Sequence, residues 1–333
     1  MNTTKKIMMM TLVLFSFILS ACNDMYNNVE KFARGENIYY NIDAKEWHVR
    51  DPFIFVNKNE QMYYLHVNEI SYIGVYKSKD LKQWRKVGKS FIPDAGFWGT
   101  KDFWAPDVIF YQGKYYLLVT FSSDTQKRGT GILVSDAVTG PFVPLKNEAS
   151  TPTGWTCLDA TLHIDDEGNP WLLYSHEWIE VTDGQVVAQR LSPDLKTLTG
   201  EPVILFSATD APWVGSIQYD LNPDIRGYIT DAPFLYKSPA SGKLFMLWSS
   251  FDKKGKYAIG LAESSNGRID GTWIQHPEPL NNDDGGHAMI FEDLEGILRI
   301  SYHATNTVSR IIIREIQEEN GALVILPDSE VDN

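Results

Sequence analysis

The stretch Trp104-Ala105-Pro106-Asp107-Val108-Ile109-Phe110, followed by Gly113 to Val119, decides the fold, because its pattern returns along the chain. A polar residue opens a short apolar strand. A turn follows, then a second strand rich in Tyr, Leu or Trp. Asp51-Pro52-Phe53-Ile54-Phe55 with Gln61 to Val67 is an earlier copy. Leu158-Asp159-Ala160-Thr161-Leu162-His163 with Gly168 to Tyr174 is a later one. Thr230-Asp231-Ala232-Pro233-Phe234-Leu235-Tyr236 with Gly242 to Ser249 is the fourth. Gly285-Gly286-His287-Ala288-Met289-Ile290-Phe291 with Gly296 to His303 is the fifth. The key polar positions are 51, 107, 159, 231 and 287, at spacings of 56, 52, 72 and 56 residues.

Gly, Asn, Asp or Pro punctuates most gaps between these strands, and no stretch carries a long helical stripe. The fold class read from this is all-β. Five units of about four strands each predict a five-bladed β-propeller over residues 39–328. A single blade cannot bury both of its faces, whereas a closed ring can. A β-sandwich also alternates strands and turns, but it does not require the same residue grammar five times over.

The 333 residues include 43 Asp and Glu against 30 Lys and Arg, a formal charge of -13. That balance argues against a nucleic-acid or anionic-membrane surface, either of which needs a basic footprint. A neutral sugar partner remains compatible. With 43% hydrophobic and 13% aromatic residues the chain can bury a large core. At the start, Lys5 and Lys6 precede an apolar run from Ile7 to Leu19, too short for a convincing membrane span. Leu19-Ser20-Ala21-Cys22 resembles the lipobox of bacterial lipoproteins. Residues 1–21 then read as a signal peptide, Cys22 as the lipidated first residue, and 22–38 as a tether. The protein is expected on a bacterial envelope membrane, periplasmic or at the cell surface, held by its lipid alone. Cys157 is the one other cysteine, which rules out an internal disulfide and a Cys metal cluster. A buried structural thiol is the favoured reading of it.

Innermost strands of a propeller run along the central axis, so equivalent positions of successive blades converge. This gathers Asp51, Asp107, Asp159, Asp231 and His287. Crowded carboxylates repel one another and push a pKa upward, toward the range useful to a general acid. Each Asp taken alone also reads as a loop cap, and Arg50 offers Asp51 a salt bridge. Glycoside hydrolysis needs two carboxyl groups across the scissile bond, about 6.5–9.5 Å apart when the anomeric centre inverts.

These motifs resemble those of family 43 glycoside hydrolases, which are five-bladed β-propellers, across residues 45–305. Arg50-Asp51-Pro52 resembles the first-blade motif, and the resemblance implies that Asp51 is the general base. Trp104-Ala105-Pro106-Asp107 resembles the second, with Asp107 a secondary pocket residue. Leu158-Asp159-Ala160-Thr161-Leu162 resembles the third, with Asp159 orienting the acid and raising its pKa. Gly286-His287 resembles the fifth, whose His approaches a calcium ion through water in several members. A structural Ca2+ is therefore an expectation, although no twelve-residue calcium loop is present and Asp165-Asp166-Glu167-Gly168 reads as an acidic turn. No cofactor is needed for the chemistry. A lone His is equally a hydrogen-bonded pocket residue.

The fourth blade departs from the pattern, carrying Thr230-Asp231-Ala232-Pro233 where the family places a Glu. Asp is shorter by one methylene, and a misplacement of about 1–1.5 Å costs roughly 10²-fold in rate. Either the pocket is rebuilt around Asp231 as general acid, or Glu177 in Ser175-His176-Glu177-Trp178 substitutes. Trp98, Phe103, Trp104, Trp155, Trp178 and Trp213 are candidate sugar platforms, with about half of them expected in packing, and Arg310 is a candidate pocket cation. The expected activity is inverting hydrolysis of plant-type polysaccharide or oligosaccharide. Exo action on α-L-arabinofuranosyl residues, or on β-D-xylosyl residues, is favoured. A β-galactosidase-type branch and a non-catalytic carbohydrate-binding lipoprotein are the alternatives.

Overall fold

The computed structural model describes residues 41–219 and 222–327. The lipobox with Cys22, the signal stretch 1–21 and the tether 22–38 lie outside the described residues. No described helix is long and apolar enough to cross a membrane.

Five antiparallel meanders form the blades of a β-propeller. Blade I uses Ile54–Asn57, Met62–Asn68, Ile73–Ser78 and Gln83–Phe91. Blade II uses Lys101–Tyr111, Lys114–Ser122, Gly129–Ser135 and Val143–Pro144. Blade III uses Cys157–Ile164, Pro170–His176, Gln185–Leu191 and Leu198–Ser207. Asp231–Lys237, Leu244–Phe251, Tyr257–Ser264 and Trp273–Gln275 make blade IV. Gly286–Glu292, Leu298–Ala304, Arg310–Glu319 and Ala322–Ile325 make blade V. The second strands explain the near-continuous apolar runs of the sequence. Pro170–His176 is buried at every position, because neighbouring blades cover both of its faces.

Among the described residues the hydrophobic core is divided into five clusters, and each lies between two blades. Phe91 and Trp98 meet Phe121 between blades I and II, and Tyr116 and Leu118 meet Leu172 and Tyr174 between II and III. Trp171 and Phe206 meet Met246 and Trp248 between III and IV. Phe245 and Leu247 meet Ile300 and Tyr302 between IV and V. Tyr63 and Leu65 meet Met289 and Phe291 between V and I, closing the circle. The Val49 N–H donates to Ser309 O, and the Ser301 hydroxyl donates to Pro52 O, across that last joint.

Near the start of each blade a residue lies in the left-handed region at an equivalent position: Asp51 at φ 53°, Ala105 at 48°, Asp159 at 53°, Ala232 at 50° and His287 at 58°. In blades II to V the strand pairing skips at this point, between Trp104 and Asp107, Leu158 and Thr161, Asp231 and Phe234, and Gly286 and Met289. A bulge of this kind bends the strand and re-aims its side chains. It also corrects the sequence alignment of the blades. The equivalent positions are 51, 105, 159, 232 and 287. Asp107 sits two residues beyond its blade's kink and Asp231 one residue before it, because the bulge and not the first polar residue sets the register.

Candidate active site

The kinks are secured from the preceding blade. Asp159 N–H donates to Thr120 Oγ1 at 2.9 Å, His287 N–H to Ser249 Oγ at 2.8 Å, and Asp51 N–H to His303 Nδ1 at 3.2 Å. Ala232 N–H is satisfied by the Asp159 carboxylate itself. Three of the kinks are thus held by buried polar side chains of second strands and a fourth by Asp159 of a first strand, so the acids they carry are presented on a rigid frame.

His287 stands among the acids. Its Nδ1 lies 3.1 Å from Asp51 Oδ1 and 3.6 Å from Asp159 Oδ2. Asp107, Asp159 and His287 also line one axial cavity, together with Ala105, Ala232 and the Pro52-Phe53 segment. Asp231 accepts a hydrogen bond from the Tyr257 hydroxyl at 2.9 Å and feels the charges of Asp159, His287 and Glu177. The structure therefore brings Asp51, Asp107, Asp159, Asp231 and His287 together.

Their ionisation divides them. Burial alone would raise Asp51, but the His287 imidazolium overrides it and holds this carboxyl well below the usual range. Burial alone would lower His287, yet Asp51 and Asp159 raise it to about 10. Asp107 is pushed up to about 7 by burial, and its Oδ1 has no hydrogen-bond partner. Burial, reinforced by Asp51 and Asp107, lifts Asp159 to about 7. Burial and then the Asp159 charge lift Asp231 to about 8, against the opposing hydrogen bond from Tyr257. These shifts favour an ionised Asp51 and a protonated Asp231 near neutrality, both of them neighbours of His287.

Glu177 is not the exposed loop acid that its setting also permits; it is 7% exposed and ion-paired with Arg128. Arg128 also reaches Asp102 at 3.2 Å and lies over the Trp104 ring at 4.4 Å from its centroid. Burial raises Glu177, with Arg128 opposing. Trp104 keeps 37% of its surface exposed, and Trp155 stacks on His176 at 4.2 Å. The other aromatics require correction. Trp98 and Phe103 belong to the core between blades I and II, and Trp213 to that between III and IV. Trp178 is buried in the short turn of helix Trp178–Val181. All four are buried and offer little face to a ligand: the blade interfaces have claimed the rings of Trp98, Phe103 and Trp213, and the Trp178 ring lies against Gly227. Arg310 lies on the third strand of blade V, bridged to His48, two strands out from the axis.

The calcium expectation finds no matching donor set: among the described residues no three of His, Cys, Asp or Glu are arranged to hold a metal ion. His287 Nδ1 is directed at the carboxylates of Asp51 and Asp159. Asp165 caps its own turn, accepting from Glu167 N–H, Asn169 N–H and the Trp171 indole.

Sequence reasoning missed His303, Tyr257 and Arg128. His303 carried a signal, since it ends the fifth unit's second strand as His66 sits in the first unit's. Tyr257 and Arg128 lie outside the repeated grammar.

Comparison with known proteins places this geometry. A solved endo-arabinase from Bacteroides thetaiotaomicron is 56% identical, with a TM-score of 0.81 over 84% of this chain and 98% of that one. A thermostable family-43 glycoside hydrolase shares the fold, with a TM-score of 0.71 at 24% identity over 85% of this chain and 94% of that one. An extracellular endo-alpha-(1->5)-L-arabinanase of Bacillus subtilis is 29% identical over 31% of this chain and 35% of its own length. A beta-xylosidase of the same organism is 25% identical over 65% of this chain and 39% of its own length. The chain thus spans between a third and two fifths of these two curated relatives. The model of glycosyl hydrolases family 43 matches residues 45–321. With that match over most of its length, on a five-bladed frame with its acids at the axis, the chain belongs to glycosyl hydrolases family 43.

Proposed function

We propose that the protein is an inverting hydrolase of arabinan, cutting within chains of α-1,5-linked L-arabinofuranosyl residues. The observation that carries the mechanism is the opposed ionisation of Asp51 and Asp231 around one axis. Asp231, protonated near neutrality, donates to the glycosidic oxygen as the bond to the anomeric carbon breaks. Asp51, held ionised by His287, removes a proton from the water that attacks from the opposite face. The product sugar then carries the inverted configuration. Asp159 accepts the Ala232 N–H, and its charge lifts the neighbouring Asp231. This makes it the residue that tunes and orients the acid.

Support for arabinan comes from the 56% identical endo-arabinase, and it shifts the reading from exo to endo action. Trp104, exposed and backed by Arg128, is the sugar platform most consistent with its surroundings. The Cys22 lipobox supports anchoring to an envelope membrane. Incubation with linear α-1,5-arabinan, debranched arabinan, xylan and aryl glycosides tests the whole reading. A ladder of arabino-oligosaccharides, with proton NMR showing the inverted anomer first, is expected. Arabinose alone from the start would mean exo action. Release from xylan or galactan only would replace the substrate, and glycan binding without release would leave a binder. Radiolabelled fatty acid should enter the wild-type chain and not Cys22→Ser.

A further inference from the structure

A buried phenol joins the two halves of the catalytic apparatus. Tyr257 begins the third strand of blade IV, and its side chain crosses toward blade V. There its ring stacks on His303, with centroids 5.6 Å apart and planes 22° from parallel. The same His303 accepts the Asp51 N–H and lies 3.4 Å from Asp51 Oδ1. At its other end the Tyr257 hydroxyl donates to Asp231 Oδ2 at 2.9 Å. Space for the ring exists because residue 286 is Gly. A Cβ there would fall 2.2 Å from Tyr257 Cε1. Gly286 pairs directly with His303, so the ring covers both members of that pair.

We propose that Tyr257 is the positioning residue of the acid, fixing the Asp231 carboxyl so that Oδ2 is occupied and Oδ1 carries the proton toward the glycosidic oxygen. The proposal rests on Asp231 being the donor. A short aspartate has two rotatable bonds and two equivalent oxygens. One donor of fixed direction removes that ambiguity, as preorganisation requires. A phenol is suited to the task because burial keeps it protonated throughout the working range. The remaining groups facing Asp231 are Asp159 on the first strand of blade III, His287 on the first strand of blade V, and Glu177 with its partner Arg128. Of these, Asp159 and Glu177 raise the acid and His287 lowers it. Tyr257 is the one whose hydrogen bond to Asp231 holds an oxygen in place.

The position of the upper pH limb separates this role from a merely structural one. A hydrogen bond to the carboxylate favours the charged form, so its removal raises the acid's pKa. In Tyr257→Phe, which keeps the ring on His303, the basic limb of kcat/KM should move to higher pH. Loosened packing would admit water and move that limb downward. Turnover of arabinan should fall about 10-fold, and the loss should exceed that on dinitrophenyl arabinofuranoside, whose leaving group needs little proton donation. Asp231→Ala run in parallel tests the underlying reading through the same ratio of losses. If Asp231→Ala shows the leaving-group dependence but Tyr257→Phe neither moves the limb upward nor shares it, the role of Tyr257 is overturned. If Asp231→Ala lacks the dependence, the acid has been misassigned and the proposal falls with it. Circular dichroism and melting of Tyr257→Phe confirm that the comparison is made on folded protein.

Discussion

His287 Nδ1 lies 3.1 Å from Asp51 Oδ1, joining a cation of blade V to an anion of blade I across the closing joint of the ring. Asp51→Asn removes the charge that activates water and leaves His287 facing Asp159 at 3.6 Å. Turnover should fall about 10²–10⁴-fold, the usual worth of a positioned general base. Steady-state kinetics on arabinan checks this. Near-normal turnover in a folded variant would remove Asp51 from the mechanism.

The pH profile follows from the two opposed carboxyls. Asp51 is held low, so activity persists on the acid side of neutrality. The upper limb of kcat/KM should lie near the Asp231 value of about 8, because the donor must keep its proton. Since the acids titrate together, the measured limb belongs to the cluster. A profile still rising above that limb would contradict the assignment.

Asp107 makes a stability prediction of definite sign. Its folded value of about 7 lies above its ordinary 3.8, chiefly through burial. The folded state therefore binds the proton more tightly than the unfolded state. The contribution to stability is complete below 3.8 and is lost as pH rises through about 7. Asp107→Asn, which cannot ionise, should shrink the difference in Tm between pH 5 and pH 9 by about 2–4 °C or more. Differential scanning fluorimetry across that range reads it, and an unchanged difference would assign the loss to other groups.

Glu177 competes with Asp231 for the role of donor and should lose. Glu177→Gln keeps the shape, and its losses on arabinan and on aryl glycosides with good leaving groups should be similar. A selective loss on poor leaving groups would make Glu177 the acid. Arg128→Ala strands a buried carboxylate, since Arg128 pairs with both Glu177 and Asp102. Urea unfolding should show a loss of about 3 kcal/mol, the scale for breaking a largely buried pair from one side.

Gly286→Ala places a methyl 2.2 Å from the Tyr257 ring, which cannot retreat because His303 lies stacked against it. Overpacking of this kind costs about 1–3 kcal/mol. Both Tm and arabinan turnover should fall. A crystal structure of the variant should show the Tyr257–Asp231 hydrogen bond lengthened.

Much of this architecture was legible from residues alone, and the reason lies in repetition. Short strands with the same opening and the same turn chemistry can be counted, and five copies spaced 52 to 72 residues apart call for a ring. The convergence of Asp51, Asp107, Asp159, Asp231 and His287 follows from that ring. Their register does not, because a bulge adds residues that no composition betrays. Ala105 and Ala232 occupy kinks at which blades I and III carry their acids. Aromatic rings were harder still. Trp98 and Trp104 are near neighbours of identical chemistry, yet one fills a blade interface and the other keeps an exposed face. Tyr257 meets Asp231 and His303 only once two blades are docked, and nothing in the Lys256-Tyr257-Ala258 segment announces it.

Because every apolar seam among the described residues is shared by two blades, none of the five blades owns a private interior. Detaching any one of them would open two seams at once, so the wheel has no weak spoke from which to fray. Heat should dismantle it in a single cooperative event, with catalysis and tertiary structure vanishing together.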